Sequence, residues 1–266
     1  MNRPTLTLAE VSHQHKVWII GPVVRCVQYI GDETLLGAIT QRAVAAFENF
    51  DTYLGFARKE ALRRGRREAV AGIDTLLREH AFHASYIREL RAAGFARLSA
   101  HSLVAIWAAL ESAVEETAVL ILMNDSSLRT RMLDEAGAKR YDPSDDDEER
   151  CRLLVKLWEQ SRPKNERPAS VGHRFERLLS FFGLGSPAPL GDTLAAHLAE
   201  INAIRNCLMH RRGIVDERAV REAPHLATRL GQPIAIGRAD FLRYYKAISD
   251  YAVSLMGRVT TSNYCT

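Results

Sequence analysis

The sequence predicts a mostly α-helical protein, and three features of the chain carry this prediction. Ala, Leu, Arg and Glu dominate residues 34–51 and 63–90 at helix-like spacing. A long apolar stripe runs through residues 98–121, and residues 240–258 show the pattern of an amphipathic helix. Neither an internal repeat nor a low-complexity tract is present.

The length and composition allow a substantial core. The 266 residues are 47% hydrophobic and 26% charged, which suits one large domain or a domain with an extension. We divide the chain into an N-terminal region over 1–95 and a helical domain over 96–266. The N-terminal region opens with a β-branched stretch, 17–30, whose Gly21-Pro22 break predicts two short strands or an apolar arm before the helices.

The strongest helix prediction covers residues 98–121. Ser99 or Ser102 offers an N-terminal cap, since a serine hydroxyl can accept a bond from a free backbone N–H. The apolar stripe of this helix consists of Leu103, Trp107, Leu110, Val114, Thr117 and Ile121. We expect these side chains to face the core.

An acidic run over residues 142–149 leads directly into a further apolar pattern that contains Leu154 and Trp158. Negative charge in the first turn of a helix is favourable, so the run predicts a capped helix start in preference to a metal site. A proline-containing loop at 161–170 and a short helix at 171–182 follow.

Two more helices complete the predicted fold. The first is capped by Asp192 and stopped by Gly213. Residues 230–237 then predict a small β-turn or hairpin before the last helix at 240–258. The apolar face of that last helix contains Phe241, Tyr244, Tyr245, Ile248, Tyr251 and Leu255.

The apolar segments do not predict a membrane protein. The longest one, 103–123, contains Glu111, Glu115 and Glu116, which a membrane-spanning helix does not tolerate. The first residues lack the apolar run of a signal peptide. We therefore expect a cytoplasmic protein with no membrane partner.

No metal site or cofactor is expected from the sequence. The four cysteines are scattered without a C-x-x-C pair, and His80, His83 and His101 have no carboxylate at a convincing spacing. We assign these histidines structural roles. The net charge of +4 permits contact with nucleic acid without requiring it.

Three side chains in the last turns of the 192–212 helix suit RNA cleavage without a metal ion. A histidine such as His210 can move a proton near neutral pH. Arg205 can hold a phosphate through its fixed fork of donors, and Asn206 can orient either neighbour. Arg211 and Arg212 follow directly and add donors for a polyanion, so we assign them to RNA binding.

Spacing alone does not select this motif. An arginine followed by a histidine at similar distance occurs four times, at Arg78 and His83, Arg167 and His173, Arg205 and His210, and Arg218 and His225. Proline interrupts the second and fourth intervals and makes a continuous helix across them unfavourable. Glu79 follows Arg78 and would neutralise it, so the surroundings favour the pair Arg205 and His210.

The motif helix has two distinct faces. Its apolar face contains Leu194, Leu198, Ile201, Ile204 and Leu208, with Arg205 at the edge. The opposite face carries Asn202, Asn206 and His210 among small residues, namely Ala195, Ala199 and Ala203. We infer from this second face a contact with the same helix of another copy, which would bring two sets of motif residues around one groove. The alternative is a solvent-exposed face.

The segment from Ile204 to Asp216 resembles the HEPN superfamily, whose signature places Arg, a polar residue that is often Asn, and His on one helix. Trp107 and Glu111 on an earlier long helix, followed by a Tyr-rich last helix, also fit the usual order of such proteins. The resemblance covers roughly residues 97–259 and implies a HEPN-like bundle of about four to five helices.

The resemblance also implies an activity, which is metal-independent endoribonuclease action at a composite site between two copies of the chain. His210 would transfer protons, Arg205 would stabilise the charged transition state, and Asn206 would hold one of them in register. Glu111 would pair with Arg205, and Asn202 would support the site. Many bacterial proteins of this kind resemble toxins or phage-defence effectors, so an antitoxin or a defence-system protein is a further expected partner.

The sequence departs from the family pattern at one position, and two other interpretations of the function remain open. Toxins of this family that pair with a nucleotidyltransferase antitoxin often carry Tyr two residues after His, where this chain has Arg212. Regulation by modification of that Tyr is therefore not supported. The alternative function is a catalytically silent HEPN module that binds RNA or a partner protein through the same groove. A structural subunit of a larger assembly is the third interpretation.

Overall fold

The computed structural model describes residues 18–137, 147–161 and 170–265. Within these ranges the chain folds into ten α-helices and three short 3-10 segments, and no β-strand is present. The predicted mostly α-helical class is confirmed. None of the helices in these ranges is long and apolar enough to cross a membrane.

The α-helices are numbered here in chain order. They are α1 (Gly21–Phe47), α2 (Phe50–Arg63), α3 (Arg67–Ala92), α4 (Ala96–Asn124), α5 (Ser126–Ala136), α6 (Glu148–Gln160), α7 (Val171–Phe181), α8 (Asp192–His210), α9 (Glu217–Glu222) and α10 (Arg238–Thr260). The 3-10 segments are Trp18–Ile20, Pro224–Arg229 and Asn263–Cys265.

The chain forms two compact units. The first unit contains the described residues of 1–31, 103–234 and 242–266, and the second contains 32–102 and 235–241. The boundary predicted at residue 95 lies close to residue 102, where the longer segment of the second unit ends. Residues 18–31, which the sequence assigned to the N-terminal region, instead belong to the first unit.

The strand-like interpretation of residues 17–30 is wrong over the part that the structure describes. Trp18–Ile20 forms a 3-10 turn, and α1 begins at Gly21 with Pro22 in its first turn. Proline fits there because the first backbone N–H groups of a helix have no partner within the helix. The Gly-Pro pair therefore marks a helix start, and the apolar residues Ile19 and Val23 are fully buried.

Of the small β-turn or hairpin predicted at 230–237, the turn is confirmed, because the N–H of Gln232 donates to the carbonyl of Arg229 at 2.9 Å, and the hairpin is wrong. Its residues pair with the chain that follows α8 instead of with one another, through a single antiparallel bridge between Ile214 and Pro233. The N–H of Val215 donates to the carbonyl of Gln232 at 3.1 Å, and the N–H of Ile234 donates to the carbonyl of Gly213 at 2.7 Å. Pro233 has no N–H of its own to donate, which limits the pairing to these few bonds.

The part of α4 from residue 103 onwards belongs to the first unit and contributes a large share of its buried side chains. Every member of its predicted apolar stripe is buried, and Leu103, Trp107 and Leu110 are fully inaccessible to solvent. Ser99 and Ser102 are not caps, because α4 starts earlier, at Ala96. The stripe itself is confirmed as the core-facing side of this helix.

Side-chain caps begin the helices next to α4. The carboxylate of Asp147 accepts from the N–H groups of Glu149 and Arg150 at 2.9 and 3.2 Å, so the predicted capped start of α6 is confirmed. Ser170 caps α7 by accepting from the N–H of His173 at 3.4 Å. The remainder of the acidic run, 142–146, and most of the proline-containing loop, 162–169, lie outside the described residues.

In the second unit, α2 and α3 pack against each other. Nε2 of His80 lies 2.8 Å from the carbonyl oxygen of Phe47, and Ser102 donates to Glu33 at 2.8 Å. The structural role predicted for His80 is therefore confirmed. Apolar burial in α2 is limited to Leu54 and Ala61, and His80 is the only buried residue of α3.

Candidate functional site

The motif helix α8 starts and ends close to the predicted residues. Gly191 stands at the cap position without a side-chain bond, and Asp192 is the first helical residue, so Asp192 favours the start through its charge and not as a cap. At the other end, Gly213 adopts a left-handed φ of 75° and its N–H donates to the carbonyl of Cys207 at 3.0 Å. This closure makes His210 the last residue of the helix.

Two contacts orient the guanidinium of Arg205. Its Nη1 donates to Oδ1 of Asn206 at 2.9 Å, and its Nη2 lies 3.2 Å from Oε2 of Glu111 on α4. The predicted pairing of Arg205 with Glu111 is confirmed. A guanidinium has five N–H donors in a fixed fork, so the remaining donors stay available to a ligand.

Arg174 is a site residue that the sequence interpretation missed. Its Nη2 lies 3.4 Å from Oε1 of Glu111, so one carboxylate stands between two arginines. On its other side, Nε of Arg174 lies 3.8 Å from Oε1 of Glu159. Burial raises the pKa of the Glu159 carboxyl, and the charge of Arg174 opposes this rise without cancelling it.

The motif residues line two different cavities of the first unit. We call the first the Arg205 cavity: its volume is about 380 Å³, and its walls include Glu111 and Arg174. The second, the His210 cavity, has a volume of about 250 Å³ and includes Asn206. One chain therefore connects Arg205 to Asn206 by a hydrogen bond but does not bring Arg205 and His210 into one cavity.

His210 is exposed, and its imidazole makes no hydrogen bond to any residue that the structure describes. Both ring nitrogens are therefore accessible to a substrate. Its position in the last turn of α8 leaves it beside Arg211, which also lines the His210 cavity. The arrangement can supply proton transfer next to a cationic group.

The alanine-rich face of α8 is partly covered by the chain itself. Ala195 and Ala203 are both buried, and the short helix α9 packs against α8. Nδ2 of Asn202 donates to Oε2 of Glu222 on α9 at 3.2 Å. Part of the face predicted to contact the same helix of another copy is therefore covered by α9 of the same chain, and the contact between copies stays a prediction. The open part is the end that carries Asn206 and His210.

The two arginines predicted to bind RNA differ in their surroundings. Nε of Arg211 donates to Oδ2 of Asp216 at 3.0 Å. Asp216 also caps α9, and the backbone N–H of Ala219, followed by Arg211, holds the pKa of this carboxyl below its usual range. Arg212 is exposed, adopts a left-handed φ of 55° and is not part of the walls of the His210 cavity.

A buried carboxylate anchors α8 to the last helix. Glu200 accepts from the hydroxyl of Tyr244 and from Nη1 of Arg243 at 2.8 Å, and Nε2 of His225 lies 2.7 Å from Oε1. Desolvation acts to raise the pKa of Glu200, but the bonds from Arg243, Tyr244 and His225 outweigh it and hold the pKa below its ordinary value. No pattern in the sequence predicts this cluster.

No group of three or more His, Cys, Asp or Glu side chains stands in a metal-binding arrangement within the described ranges. The charged groups at the site include arginines, which can bind an anion, and carboxylates, which contact and orient those arginines. Comparisons of this chain with models of protein families, with curated proteins and with solved structures find no match. The assignment of a function therefore depends on the residues and geometry described above.

Proposed function

We propose that this protein is a metal-independent endoribonuclease of HEPN type, acting as a toxin or a phage-defence effector. The carrying observation is the arrangement of Arg205, whose guanidinium is held between Asn206 and Glu111 while His210 stands exposed one turn further along α8. An oriented cation and an accessible proton-transfer group are the two parts that RNA cleavage without a metal requires.

In the proposed reaction, the 2′-hydroxyl of the RNA attacks the adjacent phosphorus atom. His210 takes the proton from that hydroxyl or gives a proton to the leaving 5′-oxygen. Arg205 stabilises the negative charge that develops on the non-bridging oxygens, and Asn206 positions Arg205. The P–O5′ bond breaks as the P–O2′ bond forms, which leaves a 2′,3′-cyclic phosphate and a 5′-hydroxyl.

The separation of Arg205 and His210 into two cavities supports a composite site between two copies. The end of α8 is open, and Met209 beside His210 is 57% exposed. Contact between two copies of this end would bring His210 of one protomer near the motif of its partner. An antitoxin or defence-system protein that covers the same end would block the site.

The same separation favours the second candidate, a catalytically silent module that binds RNA or a partner protein. In one chain Arg205 is already paired with a carboxylate, and His210 lies in another cavity. A binding groove requires the arginines but does not require a histidine with free ring nitrogens. Removal of His210 therefore distinguishes the two candidates, because cleavage requires this histidine and binding does not.

The test is incubation of wild-type protein and the His210→Ala variant with cellular RNA in EDTA, followed by analysis of the fragment ends. We expect cyclic phosphate ends from the wild type and a loss of about 10²- to 10⁴-fold in rate in the variant. His83→Ala is the matched control, because Arg78 and His83 repeat the motif spacing in the second unit. Its cleavage rate should equal that of the wild type.

Two results would contradict the ribonuclease. One is cutting of a 2′-deoxy strand as fast as RNA, because that strand lacks the attacking hydroxyl. The other is intact RNA with every variant while RNA remains bound to the protein, which supports the silent module. Equal loss of activity in His83→Ala and His210→Ala would also remove the assigned role of His210.

A further inference from the structure

A third cavity lies in the first unit beside the two that hold the motif. We call it the central cavity. It has a volume of about 490 Å³ and is bordered by α6, α7, α8 and α9. This volume is within the range of small-molecule binding sites, roughly 300–1,000 Å³. Its polar lining includes Arg174, Arg218, Asn202 and Gln160.

Shared wall residues place the central cavity between the other two. Arg174 and Glu159 line both the central cavity and the Arg205 cavity. Arg218 and Glu222 line both the central cavity and the His210 cavity. A chain-like ligand can therefore extend from the Arg205 cavity to the His210 cavity by way of the central cavity.

The charges of the central cavity suit phosphate groups. Arginine binds phosphate through two parallel N–H donors, and both Arg174 and Arg218 belong to its walls. The two carboxylates are already engaged: Glu222 accepts from Nε of Arg218 at 2.9 Å and from Asn202, and Glu159 is close to Arg174. Burial raises the pKa of the Glu159 carboxyl, and the charge of Arg174 opposes this rise.

Neutral polar groups complete the lining. The amides of Asn202 and Gln160 and the hydroxyl of Ser170 can each donate and accept hydrogen bonds. Such groups suit a ribose hydroxyl or the edge of an unpaired base, which RNA-binding proteins read in single strands. The lining thus combines phosphate-binding cations with donors and acceptors for a nucleoside.

We infer that the central cavity is a nucleotide-binding subsite for single-stranded RNA, in which Arg174 and Arg218 bind phosphates next to the one that is cut. This inference rests on the proposed function and adds a path for the substrate. Arg218 and Arg174 are substrate-binding residues of this path, and Asn202 contacts the nucleoside between them.

The test measures binding without cleavage, using the full-length protein and a fluorescent RNA strand that is 2′-O-methylated throughout. Dissociation constants are determined at several salt concentrations between about 50 and about 200 mM, for the wild type, Arg174→Ala and Arg218→Ala. Loss of one phosphate contact should weaken binding about tenfold. It should also reduce the slope of log K against log salt by about 0.7, the value for a single strand.

Arg221→Ala is the matched control for Arg218→Ala. Arg221 lies on the same helix, is 70% exposed and is outside the walls of all three cavities, with Nη1 3.9 Å from Glu217. Its removal should leave both the affinity and the salt slope unchanged. Arg218→Lys keeps the charge and should keep the slope, and Glu222→Gln removes an opposing charge and should tighten binding. Thermal melting confirms that each variant is folded.

The subsite is overturned if Arg174→Ala and Arg218→Ala bind the strand with the affinity and salt slope of Arg221→Ala, or if the wild type does not bind it. The cleavage assay separates this failure from that of the proposed function. If the wild type cleaves RNA but the Arg174 and Arg218 variants bind the strand normally, the subsite is refuted and the ribonuclease proposal stands. If binding depends on both arginines but unmodified RNA is not cleaved, the subsite stands and the ribonuclease proposal is refuted.

Discussion

The two units of the chain differ in how their helices are stabilised. In the first unit, large side chains such as Trp107, Tyr244 and Tyr251 are almost completely buried. In the second unit, the buried hydrophobic residues are Leu54, Ala61 and Ile236. Since burial of apolar area is the main stabilising contribution to a fold, the geometry of the candidate site is supported by the unit that has the larger core.

The second unit instead exposes large apolar side chains. The three most exposed in α2 and α3 are Phe82 at 79%, Tyr53 at 66% and Phe56 at 65%. An exposed side chain contributes little to the free energy of unfolding, because unfolding transfers little more of it to water. Substitutions at such positions should therefore have small effects on stability.

Helix capping follows the same division. Side chains cap α5, α6, α7 and α9 in the first unit. In the second unit, Asn49 before α2 and Arg66 before α3 make no capping bond through their side chains. Four helices of the first unit are thus defined both by burial and by side-chain bonds at their starts, whereas α8 of the same unit begins without such a bond.

The largest expected contrast is between two aromatic residues. Trp107→Ala should lower the free energy of unfolding by about 3–5 kcal/mol, because it leaves a cavity in the core. Phe82→Ala should change it by less than about 0.5 kcal/mol. Urea unfolding followed by far-UV circular dichroism measures both, and comparable losses would show that the second unit has a core of its own.

A smaller contrast is expected between two carboxylates that pair with arginine. Glu200→Gln should cost about 1.5–3 kcal/mol, because it weakens hydrogen bonds to a buried charge whose side chain is 4% exposed. The matched variant is Glu60→Gln in the second unit, where Glu60 accepts from Arg63 and Arg64 at the surface. We expect no measurable change there, since exposed ion pairs contribute little. Equal losses in the two variants would contradict the contrast.

The effect of Glu200 should depend on pH. Hydrogen bonds hold its folded-state pKa below its ordinary value, so the ionised carboxylate stabilises the fold above the unfolded pKa of about 4.3. That stability is lost as the pH falls through the folded pKa. The difference between wild type and Glu200→Gln should therefore be complete at pH 6 and shrink in acid, as measured by unfolding at a series of pH values. A difference that grows in acid would have the wrong sign.

The smallest contrast concerns the caps. Asp125 accepts from the N–H groups of Ser127 and Leu128 at 2.9 and 3.1 Å, so Asp125→Ala should cost about 1 kcal/mol. Asn49→Ala should cost less than about 0.5 kcal/mol, since the Asn49 side chain makes no capping bond. Thermal unfolding of the two variants checks the difference, and a larger loss at Asn49 would refute it.

Long periodic patterns were the predictable part of the fold. The stripe of α4 and the apolar face of α10 repeat over many turns, so the positions of Trp107 and Tyr251 in the core follow from spacing alone. The pairing of Glu111 with Arg205 was expected from the resemblance to a family, and the geometry agrees. Local charge also predicted the start of α6.

Apart from the pair Glu111 and Arg205, contacts between distant residues were not predictable from the sequence. The segment around Pro233 bonds to the chain after α8, although its Gly and Pro residues predicted only a local β-turn or hairpin. Helix α9 is too short for its sequence to show helical periodicity. The sequence therefore did not indicate that this helix packs against α8 near Ala203. Arg174 is one of many arginines in the chain, and only the folded structure places it beside Glu111.

The sharing of Glu111 by Arg174 and Arg205 has a thermodynamic consequence. Arg174 and Arg205 contact different oxygens of this one carboxylate and are therefore energetically coupled through it. Substitutions of the two arginines should therefore be non-additive in a double-mutant cycle, with a coupling energy of about 0.5–3 kcal/mol. In a Glu111→Ala background the coupling energy measured by the same cycle should be near zero. The carboxylate of Glu111 therefore makes two positions on different helices behave as one unit.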